Sequence, residues 1–187
     1  MSVQRPTEAL PGHRLPLGPY RVCLVCLGNI CRSPMAEVVL REELARAGLA
    51  GAVTVESAGT GDWHVGERIF GPAGAELARR GYDGSAHQAR QIQRSWLARY
   101  DLLVAMDRNN LASLRRMAPP EDASRIQLLR SFDPALAGDD PYDGEVPDPY
   151  GAPQEYYALA LDLVLAGARG LARQLAELLD AAPQPRA

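Results

Sequence analysis

"VCLVCLGNICRSPMAE", Val22 to Glu37, decides how the rest of the chain is read. The apolar run before and into it, "YRVCLV" over Tyr20–Val25, has the length and composition of a buried strand and stops at Cys26. Turn-forming residues follow at Gly28 and Asn29. Ser33-Pro34 then offers an N-cap and a proline suited to the first helical position. "PMAEVVLREELARAG" continues as an amphipathic helix, with Met35, Val38, Val39, Ala45 and Leu49 as inward candidates and Gly48 as its stop.

The same alternation runs outward from this unit. "AVTVESAG" reads as a second strand, "PAGAELARRG" as a helix stopped by Gly81, and "YDLLVAM" (Tyr100–Met106) as a third strand. Asp107 is placed to cap the helix "RNNLASLRRM", and "RIQLLRSF" reads as a fourth strand. A proline-rich, acidic loop from Asp133 to Pro153 precedes a long last helix, in which Gly167 predicts a bend. Alternating strands and helices predict an α/β fold: a single domain with a four-stranded parallel sheet flanked by helices on both faces. Such sheets bind ligands at the carboxyl ends of their strands, where Cys26 sits. The domain is expected over residues 20–180, with a flexible leader at 1–19 and a flexible tail at 181–187.

Composition narrows the function. Hydrophobic residues make up 47% and charged residues 23%, the balance of an ordinary soluble globular protein. A net charge of −3 without a long basic block argues against nucleic acid as a partner. No apolar run approaches the ~18 residues of a membrane helix, so no membrane partner is expected. The first residues carry Arg5 and Arg14 without an apolar stretch between them, which does not read as a signal peptide. All 20 basic residues are arginine, so lysine Schiff-base chemistry and a Walker-type phosphate loop are excluded. The 3 cysteines, Cys23, Cys26 and Cys31, are too tightly clustered for a disulfide framework. They suit a cytoplasmic chain with a reactive thiol or a small metal site.

The segment from Cys26 to Arg32 is cysteine, five residues, arginine. If Leu27, Gly28, Asn29, Ile30 and Cys31 curl into a ring, their N–H groups converge, and the helix beginning near Pro34 adds its positive end. Such a nest suits a tetrahedral oxyanion. Gly28 and Asn29 tolerate the positive φ a tight ring needs, and the Arg32 fork matches two phosphate oxygens. The same field favours a Cys26 thiolate, to which Ser33 can donate its hydroxyl. Attack on phosphorus would then give a cysteinyl-phosphate. Two other readings stay open: a simple turn around a buried thiol, and three ligands of a zinc or iron–sulfur site completed by His13, His64 or His87. A leaving alkoxide or phenolate needs a proton, and two near-copies offer one: "DDPYDG" with Asp140 and "PDPYGAP" with Asp148.

Taken together, "CLGNICRSPMAE", "SAGTGDWHVG", "HQARQI", "YDLLVAMDRNN", "LLRSFDP" and "VPDPYG" resemble the low-molecular-weight protein tyrosine phosphatase family over roughly residues 20–179, particularly its actinomycete members. The resemblance implies a metal-independent phosphotyrosine phosphatase without cofactor, acting on phosphotyrosine-containing proteins as a monomer. It implies Cys26 as nucleophile, Arg32 as phosphate clamp and Asp148, with Asp140 second, as general acid. Asn29, Ser33, Ser57 and His87 match the network that supports the loop; Leu27, Trp63 and Tyr150 match the pocket walls. Cys31 matches a redox partner for Cys26, and Ile30 matches the phosphotyrosine rather than the arginine-phosphatase branch. "ERIFGPAG" after "WHVG", the single Tyr150 before Gly151, and the acidic insert "LAGDDPYDGE" depart from the family pattern. Arsenate reduction on the same fold, which uses further cysteines downstream, and a non-catalytic phosphate-binding module are the alternatives.

Overall fold

The computed structural model describes residues 9–15, 17–136 and 138–181. Four strands, β1 (Tyr20–Cys26), β2 (Val53–Gly59), β3 (Leu102–Ala105) and β4 (Ile126–Leu128), form one sheet in the order β2-β1-β3-β4. Every pairing is parallel, with Val22 opposite Val55 on one side and Leu102 on the other. The chain leaves β1 toward β2, then returns to build β3 and β4 on the far side. The order therefore reverses beside β1, and its carboxyl end becomes the switch point where such sheets bind ligands.

Strand alternation sorts the core into two layers. Val22, Leu24 and Cys26 face one side, where they meet α1 (Arg32–Arg46), α2 (Gly71–Arg79) and α4 (Gln154–Ala181). Cys23 and Val25 face the other, against Leu114 of α3 (Arg108–Met117) and Leu97 of a short 3-10 turn. Helices thus cover both faces, as the alternating pattern predicts. In α1 the inward residues include Leu40 and Leu44; Ala45, an inward candidate by pattern, faces solvent.

Three local expectations change. The fourth strand is confined to Ile126–Leu128, because Leu129–Phe132 winds into a 3-10 turn. That turn packs against α4, which runs unbroken through Gly167. A Cβ at Gly170 would sit 1.8 Å from the Phe132 carbonyl oxygen, so the glycines of α4 serve close approach. Ser33 is not the cap of α1, which begins at Arg32 with Cys31 in the cap position and no side-chain cap. Its hydroxyl is committed to the loop described below.

Residues 9–15, read from sequence as leader, lie against the amino-terminal ends of β3 and β4. Arg14 donates its backbone N–H to Asp101 Oδ1 at 2.5 Å and pairs with Asp122 at 2.7 Å. Tyr20 donates to the Pro11 carbonyl at 2.8 Å and Arg125 to that of Gly12 at 2.9 Å. The cause is Asp101: it is buried, and a buried carboxylate needs donors, here the N–H groups of Arg14 and Arg21. Residues 1–8 and 182–187 of the expected leader and tail lie outside the described residues.

Candidate active site

Between β1 and α1 the backbone folds into a ring around Asn29. This residue is completely buried and holds φ at +56°, a left-handed conformation that asparagine adopts more readily than most residues. Its groups are fully engaged. The N–H donates to Cys26 Sγ at 3.2 Å, and Nδ2 donates to Ser33 Oγ and Ser57 Oγ, each at 2.9 Å. Oδ1 accepts the Arg90 N–H at 2.9 Å, and the carbonyl lies 2.7 Å from His87 Nε2. A carbonyl only accepts, so His87 carries its proton on Nε2. Burial holds His87 below its ordinary pKa, which keeps this neutral donor form in place. Ser57 in turn donates to Glu37 of α1. Gly28 does not take a positive φ; a Cβ there would lie 3.0 Å from the His64 ring, which would have to give way.

Cys26 lies at the end of β1 with two donors aimed at its sulfur: the Asn29 N–H at 3.2 Å and the Ser33 hydroxyl at 3.0 Å. The amino end of α1 begins just beyond the ring, so the helix field favours negative charge here. Cys31, in the same loop, is a different kind of thiol. Burial, then the negative charge of Cys26 and Asp148, pushes its pKa up to about 12. Cys23 packs against the opposite face of the sheet, so the three sulfurs do not converge on a common metal position.

Arg32, the last residue of the cysteine-to-arginine motif, is buried and held from two directions. Nη1 donates to Asp107 Oδ2 at 2.6 Å and to the Val146 carbonyl at 3.1 Å. Nη2 donates to Asp148 Oδ2 at 2.7 Å. Burial opposes its charge, but Cys26, Asp148 and Asp107 outweigh that and hold its pKa above the ordinary arginine value. Its Nε is buried and has no hydrogen-bond partner among the described residues.

The two acid candidates separate here. Asp148 joins Cys26 and Arg32 in a cavity of about 150 Å³. Asp140 instead folds the acidic insert onto buried Arg130, with both carboxylate oxygens 2.8 Å from its guanidinium and the N–H groups of Tyr142 and Gly144 on Oδ2. Leu27, Trp63 and Tyr150 form the cavity rim, 45%, 69% and 54% exposed, three large apolar side chains left open around one opening.

Several neighbours escape the sequence reading. Asp107 does cap α3, accepting the Asn110 N–H at 2.7 Å, but its other oxygen is the second anchor of Arg32. Phe70, inside the divergent "ERIFGPAG", donates its N–H to the Ile30 carbonyl at 2.8 Å and sets its ring 5.1 Å from that of Tyr150. His64 places its ring 5.8 Å from Tyr150 and joins the cavity lining. The divergent segment therefore props the loop and one wall. Glu37 and Arg90 extend the support network, and nothing local in sequence distinguishes them from ordinary surface charges.

A model of the low molecular weight phosphotyrosine protein phosphatases matches residues 21–181. The chain belongs to this family. It is 49% identical over 162 residues to a low molecular weight protein-tyrosine-phosphatase of Streptomyces coelicolor, covering 86% of this chain and 96% of that one. It is 47% identical over 135 residues to low molecular weight protein-tyrosine phosphatase A of Mycobacterium tuberculosis, covering 70% and 80%. The crystal structure of YfkJ from Bacillus subtilis superposes with a TM-score of 0.76 at 34% identity, covering 88% and 98%. Membership agrees with the resemblance read from the loop and its accompanying motifs, and the activity is that of a cysteine-dependent protein-tyrosine phosphatase. No helix among the described residues is long and apolar enough to cross a membrane.

Proposed function

We propose that this phosphatase hydrolyses phosphotyrosine monoesters through a cysteinyl-phosphate, with Cys26 as nucleophile, Arg32 as phosphate clamp and Asp148 as general acid. The observation that carries the reading is the convergence of three groups in one small cavity. These are a sulfur held by two donors, a buried guanidinium with an uncommitted Nε–H, and a carboxyl group 2.7 Å from that guanidinium. A phosphate dianion supplies the acceptor that a buried Nε–H requires. It takes two of its oxygens to Arg32 and rests the others on the N–H groups of residues 27–33. Asp148 is released from Arg32 as the phosphate arrives, takes up a proton from solvent beside the bound dianion, and turns to the leaving oxygen.

Cys26 Sγ then attacks phosphorus. The S–P bond forms as the P–O bond to the ring breaks, and Asp148 transfers its proton to the departing phenolate oxygen. Water next attacks the cysteinyl-phosphate, Asp148 takes its proton, and phosphate leaves with the thiolate restored. No step needs a cofactor or metal. Leu27, Trp63 and Tyr150 sandwich the phenyl ring, and Ile30 keeps the loop of the phosphotyrosine branch. Asn29, Ser33, Ser57 and His87 hold the ring in shape. Cys31 acts as redox partner, closing a disulfide on an oxidised Cys26. A nucleophile of this kind must be kept reduced, which is why we place the enzyme in the cytoplasm, working as a monomer on phosphotyrosine proteins.

The test is hydrolysis of p-nitrophenyl phosphate and of a phosphotyrosyl peptide in EDTA and reductant. Activity of the wild type with none in Cys26→Ser or Arg32→Ala supports the reading. Activity that persists in Cys26→Ser, or that EDTA abolishes, overturns it.

A further inference from the structure

Along the free edge of β2 lies a cavity of about 680 Å³, away from the strand ends that carry Cys26. Its lining includes four arginines, Arg21, Arg41, Arg90 and Arg99, and one carboxylate, Glu56. A protein of net charge −3 thus concentrates positive charge in one groove.

The hydrogen-bonding character of the groove is equally one-sided. Ala52 accepts the Tyr20 N–H, and Thr60 donates to the Cys26 carbonyl. The even-numbered residues of β2 therefore pair with β1, and Val55 and Ser57 turn their backbone groups to the free edge. Arginines cover the outward carbonyls of Val55 and Ser57: Arg41 donates twice to Val55, at 2.7 and 3.1 Å, and Arg90 donates to Ser57 at 2.8 Å; that of Val53, which shares their parity and lines the groove, is covered by neither. The carboxylate of Glu56 is taken by Tyr100 at 2.8 Å and Arg90 at 3.1 Å. Arg90 is further fixed over the Trp96 ring, 5.3 Å from its centre. What remains on offer is chiefly donors: the outward N–H group of Val55, the spare N–H groups of Arg41 and Arg90, and the guanidinium groups of Arg21 and Arg99. The last two have no ion-pair partner among the described residues.

We propose that this groove is a second binding site, separate from the phosphatase pocket, for a small polyanion whose phosphate or carboxylate groups only accept hydrogen bonds. Its volume falls within the range of small-molecule sites. Guanidinium forks on both sides suit a ligand with at least two anionic groups, each bound bidentately. Arg41 and Arg90 are already paired, with Glu37 at 2.6 Å and Glu56 at 3.1 Å, but a neutral or donor-rich ligand would leave Arg21 and Arg99 desolvated and unpaired. The same covering of Val55 and Ser57 by Arg41 and Arg90 argues against an added β-strand as the occupant.

The chain's 2 tryptophans provide the test, because one marks each site: Trp63 the phosphatase cavity and Trp96 the groove. The indole N–H resonances of the 15N-labelled protein are assigned with Trp96→Phe and followed during titration with tripolyphosphate, with citrate, and with sodium chloride at matched ionic strength. The proposal expects a saturable shift of the Trp96 resonance with tripolyphosphate or citrate. The arm that saturates tells phosphate from carboxylate recognition. In Arg21→Ala/Arg99→Ala, two exposed positions outside the phosphatase pocket, that binding weakens at least about tenfold, as expected for loss of two charge-assisted contacts. The Trp63 response to tripolyphosphate is unchanged in this variant. A Trp96 resonance that stays still, moves equally with chloride, or responds unaltered in the double variant would overturn it.

Discussion

Arg32 Nη2 and Asp148 Oδ2 stand 2.7 Å apart, so the proposed phosphate clamp and the proposed acid are an ion pair bridging 116 residues of sequence. The pair defines two uses of one guanidinium. In the proposed mechanism it fixes the loop that carries Asp148 until a phosphate enters the cavity, and is then given over to the dianion. Replacing Asp148 with Asn keeps the side-chain shape but removes the proton. The expected loss in kcat is about 10²–10⁴-fold for phosphotyrosine. It should be smaller for aryl phosphates whose phenols are strong acids, because these leave without protonation. A leaving-group series on wild type and Asp148→Asn measures this.

Asp140→Asn separates the second acidic copy from the first. Asp140 is tied to Arg130 and does not line the cavity, so the variant should keep the leaving-group dependence of the wild type. What it should lose is stability. Burial alone would raise the Asp140 pKa, but Arg130 and the N–H groups of Gly144 and Tyr142 hold it below the ordinary 3.8. A depressed carboxylate stabilises the fold above its unfolded pKa, and that contribution is lost as pH falls through the folded value. The gap in unfolding free energy between wild type and Asp140→Asn should stay constant between about pH 5 and 7 and close below the ordinary carboxylate pKa. Urea denaturation across that range checks it.

Asp107 is a positioning residue with two loads, one oxygen on the Asn110 N–H and the other on Arg32. Asparagine can still cap α3, so Asp107→Asn isolates the second role. With one anchor gone, Arg32 is less well aimed, and kcat/KM should fall about 10–100-fold while stability changes little. An alanine at the same position should add a capping loss of about 1 kcal/mol, seen in denaturation. Equal kinetic constants for Asp107→Asn and wild type would remove Asp107 from the positioning of Arg32.

How much of this the sequence disclosed follows from the range of each interaction. The ring around Asn29 is a local structure, and a cysteine, small turn residues and an arginine between a strand and a helix announce it. The alternation of strands and helices likewise fixes the order of layers, and Asp148 stands in a motif legible by resemblance. Asp107 shows the opposite case. Its capping role spans 3 residues and is legible in the sequence, whereas its partner Arg32 lies 75 residues away. Phe70 and the tethering of residues 9–15 are hidden for the same reason, since packing against Tyr150 or Asp101 leaves no periodic trace. Ser33 carries a common cap signal, a serine before a proline, but its hydroxyl goes to Cys26 Sγ, an acceptor that exists only once the ring is folded.

Asn29→Ala should uncouple the ring from its supports. It removes the bonds to Ser33, Ser57 and Arg90 and forces alanine to hold φ at +56°. The combined cost should be roughly 2–4 kcal/mol. Asn29→Gly should recover about 1 kcal/mol of it, the backbone share, without restoring activity. Unfolding curves for both variants, run beside turnover, distinguish strain from lost bonds.

Cys31 gives a redox prediction. Its thiol is held protonated, first by burial and then by nearby negative charge. Peroxide converts Cys26 to a sulfenic acid, which offers Cys31 an electrophilic sulfur; the disulfide then forms with loss of water. Wild type treated with peroxide should regain activity on adding dithiothreitol. Cys31→Ser should be inactivated by the same dose with little recovery. Equal recovery in both would exclude Cys31 as the protecting thiol.

The most direct measurement is to trap the intermediate. Asp148→Asn is mixed with a phosphotyrosyl peptide, quenched in acid within the first turnover, digested and mapped by mass spectrometry. The account predicts a phosphoryl group on the peptide containing Cys26, appearing with the first equivalent of dephosphorylated peptide and absent when Cys26→Ser is added to the variant. A phosphoryl group on another residue, or turnover in Cys26→Ser alone, would contradict it.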